Sequence, residues 1–154
     1  MGLAKETPLY ETPTDYEDDV YLWLCEQIEL LRQKRIQEVD LPNLIEELED
    51  MGSEKLHALE SAYRLLLAHL LKWKYQSQKR SSSWEITIVR ERHQIEDREG
   101  ESHTLAAKAK SIVDRMYGRA VREAAIETGL PRETFPAECP WTLDQLRDPD
   151  FLPD

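Results

Sequence analysis

The chain has few of the residues that cross-link a protein or anchor it in a membrane. Its 154 residues include only two cysteines, Cys25 and Cys139, which lie far apart and form no CxxC pair. This excludes a disulfide framework and a cysteine-based zinc pattern, and it suits a reducing compartment. No apolar run approaches the ~18 residues of a membrane-spanning helix. The N-terminus lacks an apolar core flanked by basic residues, so we expect no signal peptide and a cytoplasmic location.

Basic residues are also scarce. Lysine and arginine number 20 against 31 aspartates and glutamates, so the formal net charge is -11. An acidic chain repels phosphate backbones and anionic membranes, which disfavours generic binding to either. The balance is uneven, because residues 1–60 hold 5 basic and 16 acidic side chains while residues 61–99 hold 8 and 5. The middle of the chain is therefore the region where an anion is most welcome.

The sequence contains no strand signal, no internal repeat and no low-complexity tract. Apolar residues instead recur at steps of three and four, the period of an amphipathic helix. This pattern predicts helices over about 16–37, 42–76, 83–99 and 104–128. An extended tail (1–14) precedes them and a proline-rich C-terminal strap (131–154) with one short helical turn follows. We therefore expect one all-α domain, an antiparallel bundle of four main helices.

Several local features predict how these helices begin, bend and pack. Asp15 is expected to cap the first helix. Gly52 marks a place where the long second helix bends or breaks. Thr142 and Gln145 match a capping box, which predicts the short helical turn in the strap. Cys25, in an apolar stretch of the first helix, is expected to be a small core residue.

Parts of the chain resemble a known bacterial family. The run LLLAHLLKWKYQSQKRSSSWEITIVR spans residues 65–90, and LPRETFPAECPWTLDQLRDPDFLP spans residues 130–153. Both are similar to the family catalogued as domain of unknown function twenty-nine, and LIEELEDMG resembles the second helix of that family. The resemblance extends from about Tyr16 to Pro153. It implies an all-helical single domain common in photosynthetic bacteria, and it implies no activity, substrate, cofactor or catalytic residue.

The leading candidate site is the basic hairpin that joins the second and third helices. His69 and Trp73 share one helix face, and the start of the third helix offers free N–H groups that favour an anion. Two tryptophans would supply flat walls beside a ring or a cation. The competing interpretation is that both tryptophans are core residues and the basic side chains simply face water. The complete predicted set is His69, Lys72, Trp73, Arg80, Ser83, Trp84 and Arg90.

This hairpin favours a non-enzymatic interaction or regulatory module that holds an acidic protein partner or a small anion. A homodimer is compatible with this interpretation, whereas a membrane is not an expected partner. The alternative is a ribonuclease acting on RNA, because Arg64 and His69 resemble the motif of the helical HEPN ribonuclease superfamily. There, a cation stabilises the transition state while histidine moves a proton. The two residues lie ~140° apart on an ideal helix, so a kink or a second subunit would be needed.

A metal site has one partial signal. Glu54 and His57 form a Glu-x-x-His unit of the kind found in di-iron helical bundles. Such sites require two of these units together with two further glutamates, all pointing inward. This chain has one unit, in a heavily charged stretch typical of a solvated helix face. We therefore expect neither a metal nor a cofactor.

Overall fold

A computed structural model describes residues 7–154 of the chain. The chain is 72% helical, and the described residues contain no strand, so the predicted all-α class is confirmed. Residues 7–154 form six α-helices, four of which are long, as expected. The helices are α1 (Val20–Arg32), α2 (Leu41–Tyr75), α3 (Ser82–Glu101), α4 (His103–Ala107), α5 (Ala109–Thr128) and α6 (Leu143–Arg147). Short 3-10 turns occupy three of the connections, at Ile36–Glu38, Ser77–Lys79 and Arg132–Thr134.

The chain divides into two compact units, residues 1–52 and residues 53–154. Helix α2 contributes residues to both, and it runs through Gly52 without interruption. The helix therefore does not break at this glycine. The organisation as one domain stays a prediction. Among residues 7–154, no helix combines the length and the hydropathy needed to cross a membrane.

Helix α1 is shorter than the sequence indicated, because its true caps lie inside the predicted range. Its N-cap is Asp19, whose carboxylate accepts a hydrogen bond from the backbone N–H of Leu22 at 3.0 Å. The proposed cap, Asp15, instead accepts bonds within the preceding turn. At the other end the helix stops at Arg32, and Lys34 adopts a left-handed φ of 60° that an α-helix cannot accommodate.

The first unit buries little apolar surface among residues 7–52. Trp23 and Leu30 are its buried hydrophobic side chains in that range, and the Trp23 indole N–H donates to Asp40 at 3.0 Å. Cys25 is exposed, so the expectation that it is a core residue was wrong. The reason is geometric. Cys25 lies two positions after Trp23, a rotation of ~200° that places it on the opposite side of the helix.

The second unit contains the main hydrophobic core. The core joins the C-terminal part of α2 to α3, α5, α6 and the strap. Of the interior positions expected for the last long helix, Leu105 is only half-buried. The others are buried, namely Ala109, Ile112, Met116, Ala120 and Ala124. The predicted helix over 104–128 is nevertheless interrupted at Lys108, which separates α4 from α5. There the backbone N–H bonds to the carbonyl of Leu105, three residues back, and this tighter turn ends α4.

The C-terminal strap is attached to this core by specific contacts. The predicted capping box at α6 is confirmed, because Thr142 and Gln145 exchange side-chain-to-backbone hydrogen bonds of 2.9 and 3.2 Å. Leu146 of α6 is fully buried. The buried guanidinium of Arg92 on α3 donates to the Leu146 carbonyl at 3.0 Å. Proline-rich segments lack enough N–H donors to bond to themselves, so side chains from the helices hold this one in place.

Candidate functional site

Lys72 belongs to the predicted basic hairpin, and its ammonium group is paired with other side chains of the same chain. Its side chain is buried and forms an ion pair with Glu127 of α5. The ammonium nitrogen lies 4.8 Å from the centroid of the Trp84 ring, a cation–π contact. It also lies 3.5 Å from Nε2 of His69. Lys72 therefore joins α2, α3 and α5, and little of its charge remains for an external anion.

His69 is half-buried beside this lysine. Its Nδ1 lies 2.9 Å from the backbone carbonyl of Leu65. Because a carbonyl can only accept, we assign the proton to Nδ1, which leaves the lone pair of Nε2 facing the ammonium of Lys72. Burial lowers the pKa of His69, and the positive charge of Lys72 lowers it further, against the opposing effects of the Leu65 bond and nearby glutamates. The neutral form of the imidazole is therefore favoured in the folded chain.

Trp73 and Arg80 form a second, separate contact in the hairpin. The Arg80 Nε donates to the Trp73 carbonyl at 2.8 Å, and its guanidinium carbon lies 5.1 Å from the centroid of the Trp73 ring. Another nitrogen of the same guanidinium lies 3.4 Å from the carbonyl of Pro153. Arg80 therefore fastens the end of the strap to the hairpin, and its donors are partly occupied within the chain.

Ser83 and Arg90 lie outside both contacts. The N-cap of α3 is Ser81, whose hydroxyl accepts from the Trp84 N–H at 3.3 Å. Ser83 lies two residues later, in the first turn, and its carbonyl accepts a hydrogen bond from the Thr87 hydroxyl. Arg90 is exposed and lies 3.3 Å from the carboxylate of Glu91. It also lines a groove of about 410 Å³ on α3.

The hairpin residues therefore do not converge on one point. The structure brings together His69, Lys72 and Trp84 in one contact and Trp73 and Arg80 in another. Both tryptophans are half-buried; Trp73 packs against the core and Trp84 contacts Lys72. The hairpin set stays a prediction.

Arg64 and His69, the residues of the ribonuclease alternative, make different contacts. Arg64 pairs with Glu123 of α5, and its Nη2 lies 3.3 Å from the hydroxyl of Ser61. His69 contacts Leu65 and Lys72 instead. No interaction among the described residues joins the arginine to the histidine. The ribonuclease alternative therefore rests on sequence spacing alone, and it also stays a prediction.

A groove between α2 and α5 is lined by arginines. Its volume is about 760 Å³, and its walls are Leu56, His57, Glu60, Ser61, Arg64, Arg115, Met116 and Arg119. A neighbouring groove of about 530 Å³ shares Arg64 and Arg119 and adds Arg122, Glu123 and Ile126. We name the two together the arginine groove, defined by Arg64, Arg115, Arg119 and Arg122.

The arginine groove carries a positive balance. Two of its four guanidinium groups are paired, Arg115 with Glu60 at 2.9 Å and Arg64 with Glu123. Arg119 and Arg122 have no ion-pair partner in the part of the chain that the structure describes, and both side chains are exposed. Four guanidinium groups thus face two carboxylates. A guanidinium presents a planar fork of donors that matches a carboxylate or a phosphate, so this groove is suited to an anionic group.

A family model described as Domain of unknown function DUF29 matches residues 16–152 of the sequence. The chain belongs to the DUF29 family. The resemblance seen in the hairpin and the strap is thereby confirmed. No curated protein and no solved structure matches the chain. The description of the DUF29 family states no activity.

The sequence of this DUF29 member contained a signal for the arginine groove that charge counting missed. Arg115, Arg119 and Arg122 follow one another at steps of four and three, so they share one face of α5. The charge balance along the sequence does not reveal these arginines, because residues 100–154 contain more acidic than basic side chains. Arg64 belongs to a different helix, and only the packing of α2 against α5 brings it to the same groove.

Glu54 and His57, the partial metal motif, do not lie in the cluster of carboxylates and histidines that a di-iron site needs. His57 lines the arginine groove, where the neighbouring side chains include Arg64 and Arg115. Among residues 7–154, no group of three or more His, Cys, Asp or Glu side chains is placed to share a metal ion. Neighbouring guanidinium groups would also repel a cation at His57.

Proposed function

We propose that the protein is a non-enzymatic interaction module that binds an acidic segment of a partner protein in the arginine groove. Arg119 carries this proposal. It lies in both parts of the groove, its side chain is exposed, and it has no carboxylate partner among the described residues. An arginine in that position gains a charge-assisted hydrogen bond when a carboxylate displaces water from it, and it breaks no ion pair within the described chain.

The surrounding residues favour a peptide over a single ion. Arg115 and Arg64 are held by Glu60 and Glu123, so their guanidinium groups are ordered before a ligand binds, which reduces the entropy lost on binding. Leu56 lines the same groove and supplies an apolar surface that suits the methylene groups of an acidic side chain. The volume of about 760 Å³ also exceeds what one carboxylate fills.

The net charge of the protein favours a short acidic peptide over a nucleic acid as the ligand of the groove. A net charge of -11 opposes the approach of a long nucleic acid, whose binding requires many phosphate contacts. A short acidic segment meets only the local field of the groove, because charges beyond ~10 Å are screened at moderate salt. The tryptophan hairpin stays a second predicted position for the same kind of ligand. The groove is favoured because Lys72 and Arg80 already have partners within the chain.

The test uses a fluorescent peptide of about six consecutive glutamates, ~20 Å long when extended. We expect fluorescence anisotropy to report binding that weakens as salt rises. Arg119→Ala and Arg122→Ala should each lower the affinity roughly tenfold, the effect of losing one charge-assisted hydrogen bond. Both positions are exposed, so circular dichroism should show an unchanged fold.

Arg90→Ala is the matched control, since it removes an exposed arginine from the hairpin without touching the groove. It should leave the peptide affinity unchanged. A loss with Arg90→Ala and none with Arg119→Ala would move the site to the hairpin and contradict the proposal. Incubation with short RNA tests the alternative. Cleavage that disappears in His69→Ala would establish a ribonuclease and overturn the non-enzymatic function.

A further inference from the structure

The N-terminal part of α2 turns its apolar side chains toward solvent. Leu41, Ile45, Leu48 and Met51 recur at steps of four and three, so they lie along one side of the helix. Each is exposed, with 59% of Leu48 and 47% of Ile45 accessible. We name these four residues the apolar stripe. Single exposed leucines are ordinary, but a continuous row at helical spacing marks a surface that another helix can cover.

Helix α1 of the same unit has a similar exposed side. Tyr21, Ile28 and Leu31 lie near one another on the helix surface, and 77% of Tyr21 is accessible. The buried residues Trp23 and Leu30 occupy the opposite side of α1. The unit thus directs one side of α1 inward and leaves a second apolar side uncovered.

The negative charge around the apolar stripe indicates which class of partner can bind there. Residues 1–52 contain 4 lysines and arginines against 14 aspartates and glutamates. On α2, the exposed acidic residues Glu46, Glu49 and Asp50 alternate with the stripe. A second copy of the chain would bring one strongly acidic surface against another, and an anionic lipid surface would be repelled in the same way. A cationic partner gains both apolar contact and Coulomb attraction.

We infer that the apolar stripe docks a basic amphipathic helix of a partner protein. Apolar residues of that helix at positions i, i+3, i+4 and i+7 would cover Ile45 and Leu48, while its lysines and arginines would pair with the acidic residues alongside. The inference is independent of the arginine groove. It involves other residues, in the other compact unit, and a ligand of the opposite charge.

The test uses a labelled peptide of leucine and lysine, about 18 residues or five helical turns long, in which leucine recurs every three or four residues. We expect it to bind, and the double variant Ile45→Ser, Leu48→Ser should weaken binding at least roughly tenfold because two apolar contacts are lost. These substitutions do not change the charge of the chain. Because both side chains are exposed, the thermal unfolding curve should be retained.

Ile86→Ser combined with Val89→Ser is the matched control, since both side chains are exposed, lie three residues apart on one helix and belong to the second unit. It should leave the affinity unchanged. Equal binding of a scrambled peptide of the same composition would show charge attraction alone and overturn the inference, as would an unchanged affinity of the stripe variant. Sedimentation that reveals a dimer, lost in the stripe variant, would assign the surface to a second copy and overturn it as well.

Discussion

At the scale of single residues, Lys72 is one of four charged side chains that are buried among residues 7–154. A buried ammonium group is costly unless it is paired and hydrogen-bonded. Here Glu127 supplies the opposite charge, Trp84 supplies an aromatic face, and Nε2 of His69 is positioned as an acceptor. No buried side-chain nitrogen or oxygen is left without a partner among the described residues. The buried polar side-chain atoms of the hairpin therefore all have partners within the chain.

His69 makes the stability of this cluster dependent on pH. Burial and the adjacent Lys72 lower the pKa of His69 in the folded chain, so the unfolded chain binds more protons as the pH falls through about 6.5. The free energy of unfolding should therefore be fully retained above that pH and should decline below it. Urea unfolding at a series of pH values measures this. His69→Asn keeps a donor for the Leu65 carbonyl without a titrating group, so it should remove this part of the decline.

The exposed His93 provides the comparison. His93→Asn should preserve the wild-type decline below pH ~6.5. If His69→Asn shows the same pH dependence as the wild type, the neutral state assigned to His69 is incorrect. The same result would indicate that the contact between His69 and Lys72 contributes nothing to the pH dependence of the free energy of unfolding.

At the scale of helices, two glycines have opposite roles. Gly118 lies inside α5 in ordinary helical conformation, and a Cβ added there would meet no atom within 4 Å. Gly129 ends α5 in the left-handed conformation with φ of 72°, and its N–H bonds to the carbonyl of Ala125. The first glycine weakens its helix, whereas the second is the residue that allows the helix to end where it does.

We expect Gly118→Ala to raise the free energy of unfolding by ~1 kcal/mol, because alanine is the better helix former and the space beside it is open. Gly129→Ala should lower it by ~1 kcal/mol, because a side chain disfavours the left-handed conformation. Urea denaturation of the two variants measures both effects. A destabilising Gly118→Ala would contradict the open environment described for that position.

At the scale of the whole molecule, the hydrophobic burial is distributed unevenly between the two units. The main core belongs entirely to residues 53–154, where α2, α3, α5 and the strap bury twenty hydrophobic side chains. Between residues 7 and 52, the buried hydrophobic side chains are Trp23 and Leu30. Local stability follows buried apolar contacts, so the two units should differ in how readily they open.

Helix α2 allows this difference to be measured within one element. Amide hydrogen exchange should be faster in its first three turns, around Ile45 and Leu48, than around Leu66 and Leu70, which are fully buried. Mass spectrometry of peptic fragments resolves the two regions. Uniform protection along α2 would contradict the prediction. Addition of the leucine–lysine peptide should slow exchange in the first region if the apolar stripe is a docking surface.

The sequence by itself determined the features that depend on short-range patterns. The helical period, the capping box at Thr142, the helix stop at Gly129 and the DUF29 resemblance each involve residues that are close in the chain. The buried positions Ile112 and Met116 were predictable for the same reason, because a strong apolar period on one helix shows which residues share a face. Helix ends were less predictable, since Asp15 and Asp19 are equally good caps by residue type.

The tertiary structure alone decided which faces meet and which remain open. Periodicity groups Leu41, Ile45 and Leu48 on one side of α2, but it does not tell whether another helix covers that side. All three side chains are exposed, and no helix among residues 7–154 covers them. The arginine groove likewise depends on the packing of Arg64 against a helix about fifty residues later in the chain. Charge balance along the sequence averages over neighbours in the chain, whereas a binding surface depends on neighbours in space.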